Sequence, residues 1–226
     1  MEGALARIAA RALEYVNDGD VVGLGTGRAA VQFVRALGER VRSGLRVTGV
    51  STSESTAALA RELGIPLASL ADVDEIATTF DGADEVDPRL DLIKGWGGAL
   101  VREKIVAASS RRRIMLVGDE KLVDVLGARG KLPVEIVPFG LPLCRRRLAA
   151  LGCVPKLREV DGKPFVTDNG NLILDCGIDP IADPPGFELA LLAIPGVVGT
   201  GLFLGMADVV LVQKGDEIVV RERPQT

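Results

Sequence analysis

The chain contains no histidine. Any general acid–base chemistry must therefore fall on carboxylates or lysines, since the one side chain that titrates unaided near neutral pH is missing. Aromatic residues are scarce, 4% of 226 residues with a single tryptophan and a single tyrosine. With Ala, Val, Leu, Ile and Gly dominant, that scarcity reads as aliphatic strands layered between helices. Cysteine is equally sparse: Cys144, Cys153 and Cys176 are odd in number and lack metal-ligand spacing, so they read as free thiols in a reducing compartment. No apolar run reaches the roughly 20 residues of a membrane span. Val197 to Val212 comes nearest, but Gly199, Gly201, Gly205 and Asp208 interrupt it. No secretory h-region opens the chain, and the expectation is a soluble, cytoplasmic protein with no membrane partner. A basic face is missing too. The net charge is −4 and the pI near 5.1, and the two arginine triplets, Arg111–Arg113 and Arg145–Arg147, read as solvated helix ends or faces, which excludes nucleic acid as the main partner.

What is present is an alternation of strand and helix signals. Val21 to Leu24 reads as a strand running into Gly25-Thr26-Gly27, with a helix over Ala29 to Val41 behind it. A strand at Arg46 to Val50 leads to a helix capped by Ser53 and closed by Gly64. Ile76 to Phe80 delivers Asp81 at a strand end, Gly98 to Ser109 reads as a helix, and Arg113 to Val117 as a strand. The alternation predicts a Rossmann-like parallel sheet whose ligand crevice lies at the strand carboxyl ends. After Lys131 the order becomes β-α-β-β-α-β, including a hairpin around Asp168-Asn169-Gly170, which predicts a smaller α+β domain of the ferredoxin-like split-βαβ type. The expected division is a catalytic domain of residues 1–130 plus 205–226, with residues 131–204 inserted as the α+β domain.

Between Asp81 and Lys104 the chain concentrates its chemistry: Asp81-Gly82-Ala83-Asp84, then Lys94-Gly95-Trp96-Gly97-Gly98, then Arg102-Glu103-Lys104. Paired acids, a lysine and a glycine loop opening a helix are what proton transfer beside an anionic substrate requires. Asp81 to Asp84 could alternatively form an acidic magnesium site with Glu85 and Asp87, although the octahedral pattern is lacking. Lys94 sits among Leu92, Ile93 and Trp96, which predicts partial burial. Glu103 shares a helical stripe with Ala99 and Ala107, whose small side chains would leave room for a ligand. Gly25-Thr26-Gly27-Arg28-Ala29-Ala30 fits G-x-G-x-x-A, yet the ribose-binding acid of a dinucleotide site is replaced by Ser51-Thr52-Ser53. A phosphate monoester held by amides at a helix start is the better reading, with Arg28 beside it.

Taken together these segments resemble the A-type ribose-5-phosphate isomerases. The resemblance runs in order along essentially the whole chain, through Gly23-Leu24-Gly25-Thr26-Gly27, Asp81 to Glu85, Leu92 to Ile105, Lys121 with Leu126-Gly127, Pro133 to Pro138, Thr167 to Asn171 and Ile194 to Val198. It implies the same two-domain fold and interconversion of ribose 5-phosphate and ribulose 5-phosphate with neither cofactor nor metal. By position it implies Glu103 as the base moving a proton between C1 and C2, and Lys94 as stabiliser of the ene-diolate oxygen. Asp81 and Asp84 would orient hydroxyls and assist ring opening. Thr26, Gly27, Arg28, Ala29, Gly82, Ala83, Gly95, Trp96, Gly97 and Lys121 would enclose the sugar phosphate. The family is generally oligomeric, and a homodimer is expected, with Leu141–Leu151 and Val197–Phe203 as candidate apolar surface. One departure stands out: family members usually carry Ser-Thr where this chain has Arg28 and Ala29, and Trp96 occupies a position that is more often small. Other readings are an isomerase of a different phosphorylated sugar, a non-catalytic sugar-phosphate sensor, and a nicotinamide-dependent oxidoreductase.

Overall fold

The computed structural model describes residues 2–223. The chain opens with helix α1 (Glu2–Leu13), strand β1 (Val21–Leu24), α2 (Arg28–Arg42), β2 (Thr48–Ser51), α3 (Glu54–Glu62) and β3 (Ile76–Asp81). Two short strands, β4 (Glu85–Val86) and β5 (Leu92–Ile93), precede α4 (Leu100–Ala108) and the long β6 (Ser110–Gly118). Then come β7 (Lys131–Ile136), α5 (Leu141–Ala150), β8 (Val154–Leu157), β9 (Glu159–Val160), β10 (Lys163–Pro164) and β11 (Leu172–Gly177). Helix α6 (Pro184–Leu192) and strands β12 (Val197–Thr200), β13 (Leu202–Phe203), β14 (Val209–Lys214) and β15 (Glu217–Glu222) complete it.

Two compact units result: Met1–Ala83 with Arg102–Lys121 and Gly205–Thr226, and Asp84–Val101 with Leu122–Leu204. The division expected from sequence keeps residues 84–101 and 122–130 with the first sheet. In the structure β4 and β5 pair with β13 in a three-stranded sheet, which groups residues 84–101 with the second unit. Met1 and residues 224–226 of that division lie outside the described residues.

The first unit carries a six-stranded sheet in the order β15-β14-β6-β3-β1-β2. All neighbours from β14 to β2 run parallel, and β15 closes one edge antiparallel to β14. Buried on both faces, β14 reads as the unbroken apolar run Val209-Val210-Leu211-Val212, whereas edge strand β15 carries Glu217, Arg221 and Glu222. Phe33 and Phe80 stack at 4.1 Å inside a core completed by Leu24, Leu37, Ile114 and Leu211. The second unit carries the four-stranded antiparallel order β12-β7-β11-β8, which with α5 and α6 is the predicted split-βαβ arrangement. Its core includes Leu132, Val134, Leu174 and Leu202, and the free thiols of Cys144, Cys153 and Cys176 are buried there.

Several local expectations shift. Arg111, Arg112 and Arg113 lie on strand β6 and not on a helix, and Arg113 forms a two-pronged pair with Asp208 at 2.7 and 2.8 Å. The Asp168-Asn169-Gly170 turn exists, with Gly170 N–H donating to the Thr167 carbonyl, but only the single bridge Val166–Leu172 flanks it. The segment 197–204 is two strands because Gly201 redirects the chain from one sheet to another; a Cβ there would lie 2.5 Å from the Lys94 carbonyl oxygen. Leu202 and Phe203 are consequently fully buried, so they do not supply the expected dimer surface.

Candidate active site

In the first unit the parallel strands send their carboxyl ends to one edge, so the loops after β1, β2, β3 and β6 gather there. The loop after β1 turns into α2 at Gly27, whose φ of 109° only glycine adopts without strain. Arg28 is the first residue of α2 and is exposed, with Gly27 exposed beside it and Ala29 half-buried. Asp81 ends β3 and is buried, 1% exposed, with Oδ1 accepting from Thr26 N–H at 3.1 Å and Gly82 N–H at 2.7 Å. The first loop must pass close over this carboxylate. A Cβ on Gly25 would overlap the Asp81 carboxyl group and lie 2.5 Å from the Phe80 carbonyl oxygen.

Residues to which sequence reasoning gave no part in the site hold this loop. Thr26 Oγ1 meets Thr52 Oγ1 and Ser53 Oγ at 2.8 Å each, and Thr56 Oγ1 donates to the Gly25 carbonyl at 3.0 Å. Ser53 keeps its predicted cap as well, accepting from Thr56 N–H at 3.1 Å. The signal was visible: a run of three hydroxyl residues directly after a strand that ends on the ligand edge. Lys121 closes a single 3₁₀ turn, Asp119–Lys121, after β6 on the same edge.

Glu103 belongs to α4, which begins at Leu100 and not at Gly98. Gly98 has a φ of 92°, outside the helical region, and donates from its N–H to the Gly95 carbonyl to close a turn before the helix. Ala99 therefore precedes the helix, and the expected stripe reduces to Glu103 and Ala107. Glu103 is 4% exposed and sits in the first helical turn, where the backbone amides favour a negative charge. Only Ser109 separates α4 from β6, so the helix runs back along the sheet and starts toward the carboxyl edge. Val106 packs against β1 where Gly23 leaves space; a Cβ there would lie 2.9 Å from Val106 Cγ1.

The second unit holds the rest. Asp84 is half-buried; its N–H donates to the Ile93 carbonyl at 2.8 Å and its Oδ2 accepts from Trp96 N–H at 3.0 Å. Lys94 follows β5 and is buried beyond expectation, 3% exposed, with its N–H donating to the Gly201 carbonyl and Nζ 5.5 Å from the Phe203 ring centroid. Burying an ammonium costs several kcal/mol, and an aromatic face returns part of it. Gly95 is buried, Trp96 half-buried and Gly97 exposed. Ala83–Asp84 and Val101–Arg102 are two of the four links at which the chain passes between the units, so each unit holds part of the acid and lysine set.

The suggested magnesium partners have other employment. Glu85, fully buried, accepts from Gly127 N–H at 2.6 Å and Arg129 N–H at 2.9 Å, and Asp87 accepts from the N–H groups of Arg89 and Asp91, both at 2.9 Å. Both acids tie down backbone.

One unit is a Rossmann-like sheet with a glycine loop and a buried acid at its carboxyl edge, the other a split-βαβ unit bearing a buried lysine, and the two define an enzyme of the α/β class. The sequence model described as ribose 5-phosphate isomerase A (phosphoriboisomerase A) matches residues 48–217, and the chain belongs to that family. It is 55% identical over 221 residues to a ribose-5-phosphate isomerase A of Roseiflexus castenholzii, covering 96% of this chain and 94% of that one. To that of Thermomicrobium roseum it is 52% identical, covering 100% and 96%. Among solved structures, ribose 5-phosphate isomerase from Plasmodium falciparum superposes with a TM-score of 0.96 at 36% identity over the full length of both chains. A D-ribose-5-phosphate isomerase in complex with phospho-erythronic acid superposes at 0.94 with 39% identity, covering 98% and 99%.

Proposed function

We propose that this chain interconverts D-ribose 5-phosphate and D-ribulose 5-phosphate through an ene-diolate, in the non-oxidative branch of the pentose phosphate pathway. The observation that carries the reading is a buried carboxylate, Glu103, together with a buried ammonium, Lys94, in a chain without histidine. Glu103 takes the proton from C2 of the open-chain aldose and returns it to C1. The electron pair left on carbon moves to the carbonyl oxygen, and Lys94 stabilises the negative charge that develops there. A hydroxyl proton passing from O2 to O1 completes the exchange. Asp81 and Asp84 orient the sugar hydroxyls and assist ring opening, beside Gly82 and Ala83. Amides at the start of α2, with Thr26 to Ala29 and Lys121, take the phosphate, and Gly95, Trp96 and Gly97 line the sugar. Proton transfer between adjacent carbons requires neither metal nor redox cofactor. The phospho-erythronic acid bound by one structural relative is itself a phosphorylated polyhydroxy acid, which supports a sugar phosphate as substrate.

The protein acts in the cytoplasm as a homodimer on this reading. Phe139, 97% exposed, and Leu189, 71% exposed, are apolar groups in the second unit that a second copy would cover. The test is conversion of ribose 5-phosphate by purified protein in EDTA with no added cofactor, with the mass measured on the same preparation. Turnover by a particle of twice 23.8 kDa is expected. Inactivity toward ribose 5-phosphate would overturn the assignment, and an active 23.8 kDa monomer would overturn the dimer.

A further inference from the structure

The loop Gly95-Trp96-Gly97-Gly98 is gripped by a residue outside every motif discussed above. Arg158 follows β8, is 10% exposed in its side chain, and points Nη1 at two consecutive carbonyl oxygens, those of Gly95 and Trp96, at 3.1 Å each. The guanidinium is itself fixed. Its Nε donates to Asp175 Oδ2 at 2.9 Å, Nη2 donates to Asp175 Oδ1, and the group lies 5.9 Å from the Phe165 ring centroid. Lys131 reinforces the arrangement, with Nζ 3.3 Å from Asp175 Oδ2 and 5.4 Å from the Trp96 ring centroid. Phe165 in turn fills the space over Gly98, where a Cβ would lie 2.6 Å from its Cζ.

The geometry has a chemical consequence because a trans peptide sets its C=O and N–H in opposite directions. With the Gly95 carbonyl on Arg158, the N–H of Trp96 must face away, and it is found on Asp84 Oδ2. With the Trp96 carbonyl also on Arg158, the N–H of exposed Gly97 faces away from Arg158 in the same manner. We infer that Arg158, held by Asp175, is a positioning residue for the isomerisation: it locks the two peptide planes after Lys94 so that the Gly97 N–H is presented to the substrate oxygen that gains charge. The inference rests on the reading of Lys94 given above. A guanidinium suits the task because one rigid fork reaches a carboxylate and two carbonyls together, which an ammonium cannot do.

The test measures binding of phospho-erythronic acid and of inorganic phosphate by calorimetry to wild type, Arg158→Ala, Arg158→Lys and Lys94→Ala, with the stoichiometry reporting the folded fraction. Arg158→Ala is expected to weaken phospho-erythronic acid about tenfold, the loss of one well-aimed donor. Stoichiometry stays at one site, phosphate affinity is unchanged, and millimolar guanidinium restores part of the loss. In turnover, kcat falls on the order of 10²-fold, the effect of a misplaced reacting group, while KM moves little. Unchanged phospho-erythronic acid affinity in Arg158→Ala at full stoichiometry overturns the inference, as does an equal loss of phosphate affinity. If Arg158→Ala does not fold, Arg158→Lys decides: a smaller but equally selective loss supports the role, and wild-type affinity overturns it. Lys94→Ala separates the two levels, because wild-type affinity and turnover in that variant remove the underlying reading of the loop.

Discussion

The two glycine loops, one after β1 and one after β5, are held by opposite means. The first is tied by short neutral side chains: Thr26 joins Thr52 and Ser53 through hydroxyls, and Thr56 reaches the Gly25 carbonyl. A charged tie comes from the Asp81 carboxylate on Thr26 N–H. The second loop is tied by full charges, Arg158 on its carbonyls and Asp84 on its Trp96 amide. Charge-assisted hydrogen bonds are roughly twice as strong as neutral ones, so the second loop is the more firmly oriented. On the function proposed above, that difference has a physical reason. A loop that receives a preformed phosphate dianion needs amides and a helix start, and moderate rigidity is enough. A loop beside a charge that appears only in the transition state must already be in place when that charge develops, because reorganisation then would raise the barrier.

If that comparison holds, the two loops should fail differently, and the largest difference is in turnover. Glu103→Gln is expected to lower kcat about 10²–10⁴-fold, the usual contribution of general acid–base catalysis, and Lys94→Ala about 10²–10³-fold, the usual loss of an oxyanion-stabilising donor, with KM changed only a few-fold. No histidine is available to stand in. Steady-state kinetics on both variants are the check. A variant that raises KM while keeping kcat would place the second loop in binding and erase the contrast.

A smaller effect, in stability, sharpens the same contrast. Gly25→Ala drives a Cβ to 2.5 Å from the Phe80 carbonyl oxygen, a backbone atom that cannot step aside. Gly98→Ala meets the Phe165 ring, which is half-buried and can turn, and adds the strain of φ 92°. The first change is expected to cost about 3 kcal/mol and the second about 1–2 kcal/mol, read as melting temperatures lowered by roughly 6–12 °C and 2–8 °C. The reverse order would mean that the first loop can relax over Asp81 and is not the tightly seated element described here.

Much of this was legible in the sequence because local chemistry wrote it. The Asp81 turn, the buried surroundings of Lys94 and the glycine turn into α2 all follow from residues adjacent in the chain. The alternation of strands and helices likewise gave the parallel sheet and the split-βαβ unit. What escaped was held by long-range pairing. Arg158 and Asp175 look like ordinary surface charges until β8 and β11 pair and bring them together under a loop some sixty residues earlier. Thr52 counted only as part of a missing ribose acid and Ser53 otherwise only as a helix cap, since nothing local says that the end of β2 lies against the loop after β1. The start of α4 slipped by two residues because Gly98 reads as a helix opener, whereas its φ commits it to the preceding turn. The part Glu85 does play was hidden for a similar reason: its partners, Gly127 and Arg129, supply backbone amides that carry no side-chain signature.

The smallest expected effect falls on Arg28. Arg28 opens α2, lies exposed, and stands outside the span 48–217 matched by the family model. A cation at a helix start is disfavoured by the helix dipole, so Arg28 gives nothing to the fold and should leave it unharmed when removed. If it holds phosphate, Arg28→Ala should raise KM about two- to fivefold, the strength of an exposed ion pair, at constant kcat and melting temperature. Added salt should raise KM more steeply in wild type than in the variant, since a screened attraction can be lost only where it exists. A lowered melting temperature would assign Arg28 to structure instead. An unchanged KM would leave the phosphate to the neutral amides and hydroxyls of the first loop with Lys121, making the contrast between the two loops sharper still.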